Sequence, residues 1–237
     1  MNKPHKKQNH LSSYLHCFYA LLFFVFIFSK SFSQNFNSGL LPDLTFSYGI
    51  DENNTYVQKF ESRFTSYDNK DKDYTLEFER FDIQNFLERK TGLFSKVAIG
   101  YQYIIQNGIK NKHRSIQQFS WVSKIASLRI GQRLRSDQTF SSIEKPELRM
   151  RYRAKFLLPL QGQQLDFGEY YLKFSEELLW VNQNQNSGYE NRFISKIGLY
   201  IDDSNKIEWG IDWRIKSFLD HNSNHKLWMG LSWYKSL

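Results

Sequence analysis

The sequence predicts an all-β protein: an antiparallel, up-and-down transmembrane β-barrel of ten to twelve strands behind a cleaved signal peptide. Three observations predict it. Pro146–Leu160 (PELRMRYRAKFLLPL) sets Arg149, Arg151, Arg153 and Lys155 at odd positions, and Leu148, Met150, Tyr152, Ala154, Phe156 and Leu158 at even ones. Similar alternating segments recur down the chain between polar turns. The long apolar run that the chain does contain lies at its very start.

The alternation is the strongest of the three. A strand sends successive side chains to opposite faces, so Pro146–Leu160 has one charged face and one apolar face. A helix would scatter the same cations around its circumference. In a membrane, each cation facing lipid costs roughly 2–4 kcal/mol near the midplane, so the charged face must line a lumen. In a soluble fold the two faces would exchange roles.

The first residues read as a secretory leader. Lys3, Lys6 and Lys7 form a basic region, Leu15–Phe28 an apolar core, and Ser31-Phe32-Ser33 a small-residue cleavage site before Gln34. The domain organisation is therefore 1–33 signal peptide and 34–237 barrel domain. An uncleaved anchor is the rival, but the apolar core is short for a span of about 20 residues. The single cysteine, Cys17, leaves with the leader. The mature chain then offers no disulfide, thiol nucleophile or cysteine ligand. The leader also holds four lysines and no acid, which leaves 28 Lys+Arg against 24 Asp+Glu, or +4 rather than +8. That excess is too small to point to nucleic acid. A mean hydropathy of −0.59 excludes a polytopic helical membrane protein.

Eleven candidate strands follow. The first carries Leu44, Phe46, Tyr48 and Ile50 on one face; the second runs near Val57–Ser66. The third, near Tyr74–Asn85, loses its alternation at Arg80-Phe81, which suggests a bulge. The fourth sets Val97, Ile99, Tyr101, Tyr103 and Ile105 against Lys96, Ala98, Gly100 and Gln102. Arg114–Ile125 and Leu128–Gln138 come next, joined at Ala126-Ser127, and Pro146–Leu160 is the seventh. The eighth, Glu169–Val181, keeps an apolar row broken by Glu176. Asn191–Ile201, Lys206–Lys216 and Lys226–Leu237 complete the series. Single-chain bacterial barrels use even strand numbers. Either residues 35–41 therefore add a strand, or one early segment lies outside the barrel.

The spacers suggest sidedness. Tyr67–Asp73, Gln106–Lys112, Gln138–Lys145, Asn182–Gly188 and Asp220–His225 are long and polar. Ala126-Ser127, Asp202–Asn205 and Leu87–Thr91 are short, while Gln161–Phe167 is longer than that pattern prefers. Tyr170 and Trp180 share an outward face and would be separated by about 25 Å along a membrane normal, the spacing of two aromatic girdles. Trp209, Trp213, Trp228, Trp233, Tyr234 and Tyr152 are further girdle candidates. Trp233-Tyr234 near the terminus suits recognition by barrel-assembly machinery.

From His113 to about Arg214 the chain resembles an uncharacterised family of bacterial outer-membrane β-barrels, catalogued only as a domain of unknown function. HRSIQQFSWVSKIASLRIGQRLRSDQTF, ELRMRYRAKFLLPL, YYLKFSEELL and NRFISKIGLYIDDSNKIEWGI carry the resemblance. It implies an outer-membrane barrel and supplies no activity or catalytic residue.

The best candidate site is a ladder of lumenal charge. Arg129, Arg133 and Arg135 on one strand neighbour Arg149, Arg151, Arg153 and Lys155 on the next. Glu169, Glu177, Glu208 and Asp212 share the inward parity and could answer them. The ladder is a polar network that plugs a small barrel, a basic constriction favouring anionic solutes, or the backing of an outward-facing ligand site. His113 and Ser115 share a face, as in outer-membrane phospholipases, but no oriented base or oxyanion donor can be placed around them. Asp220, His221 and His225 could bind a metal only in a fortunate loop; Asp68–Asp73 lacks the ligands of a calcium loop. The expectation is a non-enzymatic barrel with no cofactor or metal. Its partners would be outer-membrane lipid, the assembly machinery and small anionic solutes. An outer-membrane lipid hydrolase and a secreted β-sandwich or lipocalin-like module are the alternatives.

Overall fold

The computed structural model describes residues 35–69, 74–125, 128–162, 164–219 and 223–237, and eleven strands among them close into one barrel. They are β1 (Asn35–Gly49), β2 (Asn54–Asp68), β3 (Glu77–Gly92), β4 (Ser95–Gln106), β5 (Ile109–Ile125) and β6 (Leu128–Phe140). The remainder are β7 (Glu147–Pro159), β8 (Glu169–Gln183), β9 (Asn186–Asp202), β10 (Asn205–Lys216) and β11 (Asn224–Ser236). The expected leader at 1–33, the Ala126-Ser127 turn and the loop residues Asp220 and His221 lie outside the described residues, as do 70–73.

Each strand pairs antiparallel with its chain neighbour. The exception is the closure, where β1 and β11 run parallel from Asn35↔Asn224 to Ser47↔Ser236. Eleven strands fall within the expected ten to twelve, and the parallel closure corrects the purely antiparallel pairing. Residues 35–41 do not add a strand but lengthen β1, and no early segment is left over. An odd number of up-and-down strands makes the first and last point the same way, so only a parallel seam can close the ring. At that seam Ser232 Oγ donates to Asp43 Oδ2 at 2.5 Å.

The bulge sits one residue before its predicted place. Arg63 pairs with Arg80 and Phe64 with Phe78, so Glu79 is the extra residue on β3. Two loops expected to be long are tight turns, because their flanking strands run further. Residues 107 and 108 join β4 to β5, with Gly108 at φ 67°. Asn184 and Gln185, at φ 52° and 67°, join β8 to β9 in the double left-handed geometry that matches strand twist. The six residues 141–146 share that mouth, while 160–168 join β7 to β8 at the other. The contrast of long against short ends is therefore weaker than predicted.

The parity of the faces holds around the ring. Leu134, Met150, Tyr152, Leu178, Ile197, Ile207, Trp209, Ile211, Leu231 and Trp233 are all exposed on the outer face. The inside is charged and polar, so the barrel has neither the packed layers of a sandwich nor a lipocalin's apolar cup. Two girdle candidates turn inward: Trp228 is buried and Tyr234 lines the interior. Large inward rings need space on the neighbouring strand. A side chain at Gly198 would strike the Tyr171 ring, and one at Gly39 would meet Trp228.

Candidate functional site

The interior encloses a cavity of about 500 Å³. Among the described residues, eighteen Lys and Arg side chains line it against nine carboxylates. Asp137, Glu177 and Glu208 are buried in the wall and reduce the excess to six positive charges. The lining reaches Ser141, Glu144 and Lys145 at one mouth. Toward the other it stops at Thr45, Glu88, Lys155 and Tyr234.

Sheet register stacks like charges into rows. One row crosses β6 to β11 as Arg133, Arg153, Glu177, Arg192, Arg214 and Lys226. A second sets Glu208, Ser232, Asp43, Glu61 and Asp82 side by side. Neighbouring like charges in a sheet repel, so each row needs compensation from elsewhere.

Much of the compensation is local. On one strand face, residues i and i+2 are neighbours. Arg63 meets Glu61 at 2.7 Å, Arg135 meets Asp137 at 2.7 Å, and Arg214 meets Asp212 at 2.7 Å. Arg192 meets Glu190 at 2.5 Å, and Arg80 meets Asp82 at 2.5 Å. This inward i, i+2 pairing of opposite charges is legible in the sequence, yet the ladder predicted above omits Arg63, Arg80, Asp82, Asp137, Glu190, Arg192 and Arg214. Parity applied to every strand, rather than to the cation-rich ones, recovers them.

The rest of the compensation crosses strands. Glu177 is fully buried and gathers Arg133 and Arg153 at 2.8 Å, Arg192 at 3.2 Å and Arg151 at 3.7 Å. Asp137 takes Arg151 at 2.6 Å and Arg149 at 3.3 Å besides Arg135. Arg151 thus joins the two centres. Glu208 accepts from Lys173, from Tyr171 at 2.9 Å and from Tyr234 at 3.1 Å. Arg135 also stands 5.6 Å from the Phe86 ring.

Of the predicted ladder, Arg133, Arg135, Arg149, Arg151, Arg153, Lys155 and Asp212 line the cavity, with Glu177 and Glu208 in its wall. Arg129 is exposed at the start of β6, and Glu169 accepts from the Asp166 backbone at the start of β8. Neither belongs to the network, because strand ends rise clear of the packed interior. Arg114 was not in the predicted ladder and is buried. It donates to Thr139 Oγ1 at 2.8 Å and Gln102 Oε1 at 3.0 Å, with no carboxylate within 4 Å among the described residues.

The other candidates fall outside this interior. His113 Nδ1 pairs with the Tyr101 hydroxyl, and Ser115 Oγ donates to Gln138 Oε1 at 2.6 Å, so their partners are on different strands. Glu176 faces outward and accepts from Asn191 Nδ2 at 2.5 Å. His225 Nε2 lies 3.1 Å from Ser223 Oγ, and Asp68 Oδ2 accepts from Asn37 Nδ2 at 2.5 Å. Among the described residues no cluster of His, Cys, Asp and Glu could hold a metal ion.

A closed barrel, apolar outside and densely charged within, defines the class to which this protein belongs: β-barrel proteins with a polar lumen. The chain belongs to the family described as "Protein of unknown function (DUF2490)", whose model matches residues 39–233 and so spans all eleven strands, further than the His113–Arg214 resemblance. No curated protein and no solved structure matches it.

Proposed function

We propose that this protein is a non-enzymatic, integral outer-membrane β-barrel whose lumen is a narrow, cation-rich compartment admitting small anions. The observation that carries the reading is the inversion of polarity. Charges that a soluble protein would turn to water are turned inward, and the apolar rows are turned out. A belt running around the whole barrel far exceeds the few hundred Å² that soluble monomers leave exposed. Closure of the ring leaves no unpaired sheet edge, which is the condition for a sheet to cross hydrocarbon. Outer-membrane lipid is then the solvent of the outer face, and barrel-assembly machinery the partner during biogenesis.

The lumenal excess of six positive charges favours anions over cations. A cavity near 500 Å³ suits small solutes, since ligand pockets run from about 300 to 1,000 Å³.

The test begins with boiled and unboiled samples of purified outer membranes on SDS gels. A heat-dependent mobility shift supports the membrane barrel, because closed barrels resist SDS until heated. Recovery of the protein in the soluble periplasm, without a shift, overturns it. Reconstitution into planar bilayers under a salt gradient then reads selectivity. An anion-selective reversal potential supports the lumen assignment and a cation-selective one removes it.

A further inference from the structure

Two centres share the lumen, and they are compensated differently. Around Glu177 four guanidiniums converge on one carboxylate that accepts from three of them. Nearer the mouth bearing 141–146, Arg114, Arg135, Arg149 and Arg151 surround Asp137 and Glu147. Arg114, Arg135 and Arg149, with Arg151 shared with Glu177, face two carboxylates there, which leaves the centre net positive. Arg149 lies within electrostatic reach of both Arg151 and Arg114.

Among the described residues, three donors and one acceptor, Asp137 Oδ2, are buried at this second centre without an aligned partner, so donors are in excess. The donors are Nε and Nη2 of Arg149 and Nε of Arg151, which find no aligned acceptor among the described residues. Nη2 of Arg149 is 3.3 Å from Asp137 and its Nε 3.4 Å from Glu147, close enough for attraction but poorly aimed. Among the described residues, Arg114 bonds the neutral oxygens of Thr139 and Gln102 and no carboxylate. All three arginines are at least nine-tenths buried and line the cavity. Buried donors without acceptors are rare and mark a missing partner. A partner that answers these donors must be rich in acceptors and negatively charged.

We propose that Arg114, Arg149 and Arg151 form a binding site for a tetrahedral dianion of the phosphate or sulfate class, free or as the end group of a larger solute. Forked guanidiniums match such oxyanions bidentately, and the negative charge offsets the local positive excess. Asp137 and Glu147 stay as the site's own carboxylates and repel a third acid, which limits the charge that enters. This deepens the anion-admitting reading and rests on the same lumen.

The test uses the full mature chain folded in zwitterionic detergent, titrated calorimetrically with inorganic phosphate, sulfate, chloride and glycerol phosphate. Saturable binding of the divalent oxyanions, with none for chloride, is expected. Binding of inorganic phosphate indicates a free anion; binding of glycerol phosphate alone indicates a phosphorylated solute. Arg114→Gln and Arg149→Gln should each weaken binding about tenfold to a hundredfold. Arg149→Lys, which keeps the charge and the fold but loses the fork, should weaken it less, and Lys206→Gln at the other mouth should leave it unchanged. No saturable binding, or affinity unchanged by both glutamine variants, overturns the site. The heat-dependent gel shift is scored on each sample. A shifted barrel that binds nothing fails this inference alone, whereas an unshifted, detergent-free soluble protein fails the membrane reading.

Discussion

Arg153 and Glu177 are direct partners across the β7–β8 ladder, and Arg153 Nε donates to Glu177 Oε2 at 2.8 Å. The same carboxylate holds Arg133, Arg192 and Arg151, so one acid ties four strands together across the barrel interior. Glu177→Gln should therefore lower the temperature at which the unboiled form converts on gels. Leaving buried guanidiniums without their counter-charge costs about 3–5 kcal/mol. A conversion temperature equal to wild type would show that the four arginines need no acid.

Met150 sits on the outer face between inward Arg149 and Arg151. Met150→Arg places a cation where the proposed lipid contact is, at a cost of roughly 2–4 kcal/mol near the midplane and less toward an interface. The folded yield recovered from outer membranes should fall several-fold. Met150→Gln should fall less. A yield unchanged by the arginine would argue against lipid on that face.

The parallel seam is testable by cross-linking. Leu44 and Trp233 are register partners. Cysteines replacing both should form a disulfide, since partner Cα atoms lie within the spacing that a disulfide bridges. A Leu44 and Leu231 cysteine pair, two residues out of register, should not. Equal cross-linking of both pairs would contradict the register.

The β6–β7 loop is held at the mouth by Lys112 Nζ, which donates to Glu144 Oε2 at 2.6 Å. That bond, with help from Gln183, holds the Glu144 carboxyl below its ordinary range. A carboxyl depressed in the folded state stabilises above its unfolded value, near 4.5, and the contribution fades as the pH falls through the lowered folded value. Glu144 is well exposed, so water and salt keep the effect to local loop order. Cleavage of the loop by an acid-active protease should accelerate as the pH drops below that range. Glu144→Gln should show fast cleavage at every pH, and a flat profile in the wild type would remove the clasp.

Local residue pattern is enough to place the strands, their faces and the sign of the lumen. These follow from a period of two, which a single strand expresses without any partner: Arg149, Arg151 and Arg153 share a face wherever the strand is put. Tertiary structure decided what depends on pairing. The strand count admitted ten, eleven or twelve, and only the parallel β1–β11 register made eleven close. Trp228 and Trp233 differ by one odd step, but which faces inward depends on how β11 meets β1 and β10. Arg114 carries no local signal of its own, because the acids that could answer it are on other strands, and only register shows that none among the described residues lies within 4 Å. Long-range register is a relation between distant segments, and no local pattern of residues encodes it.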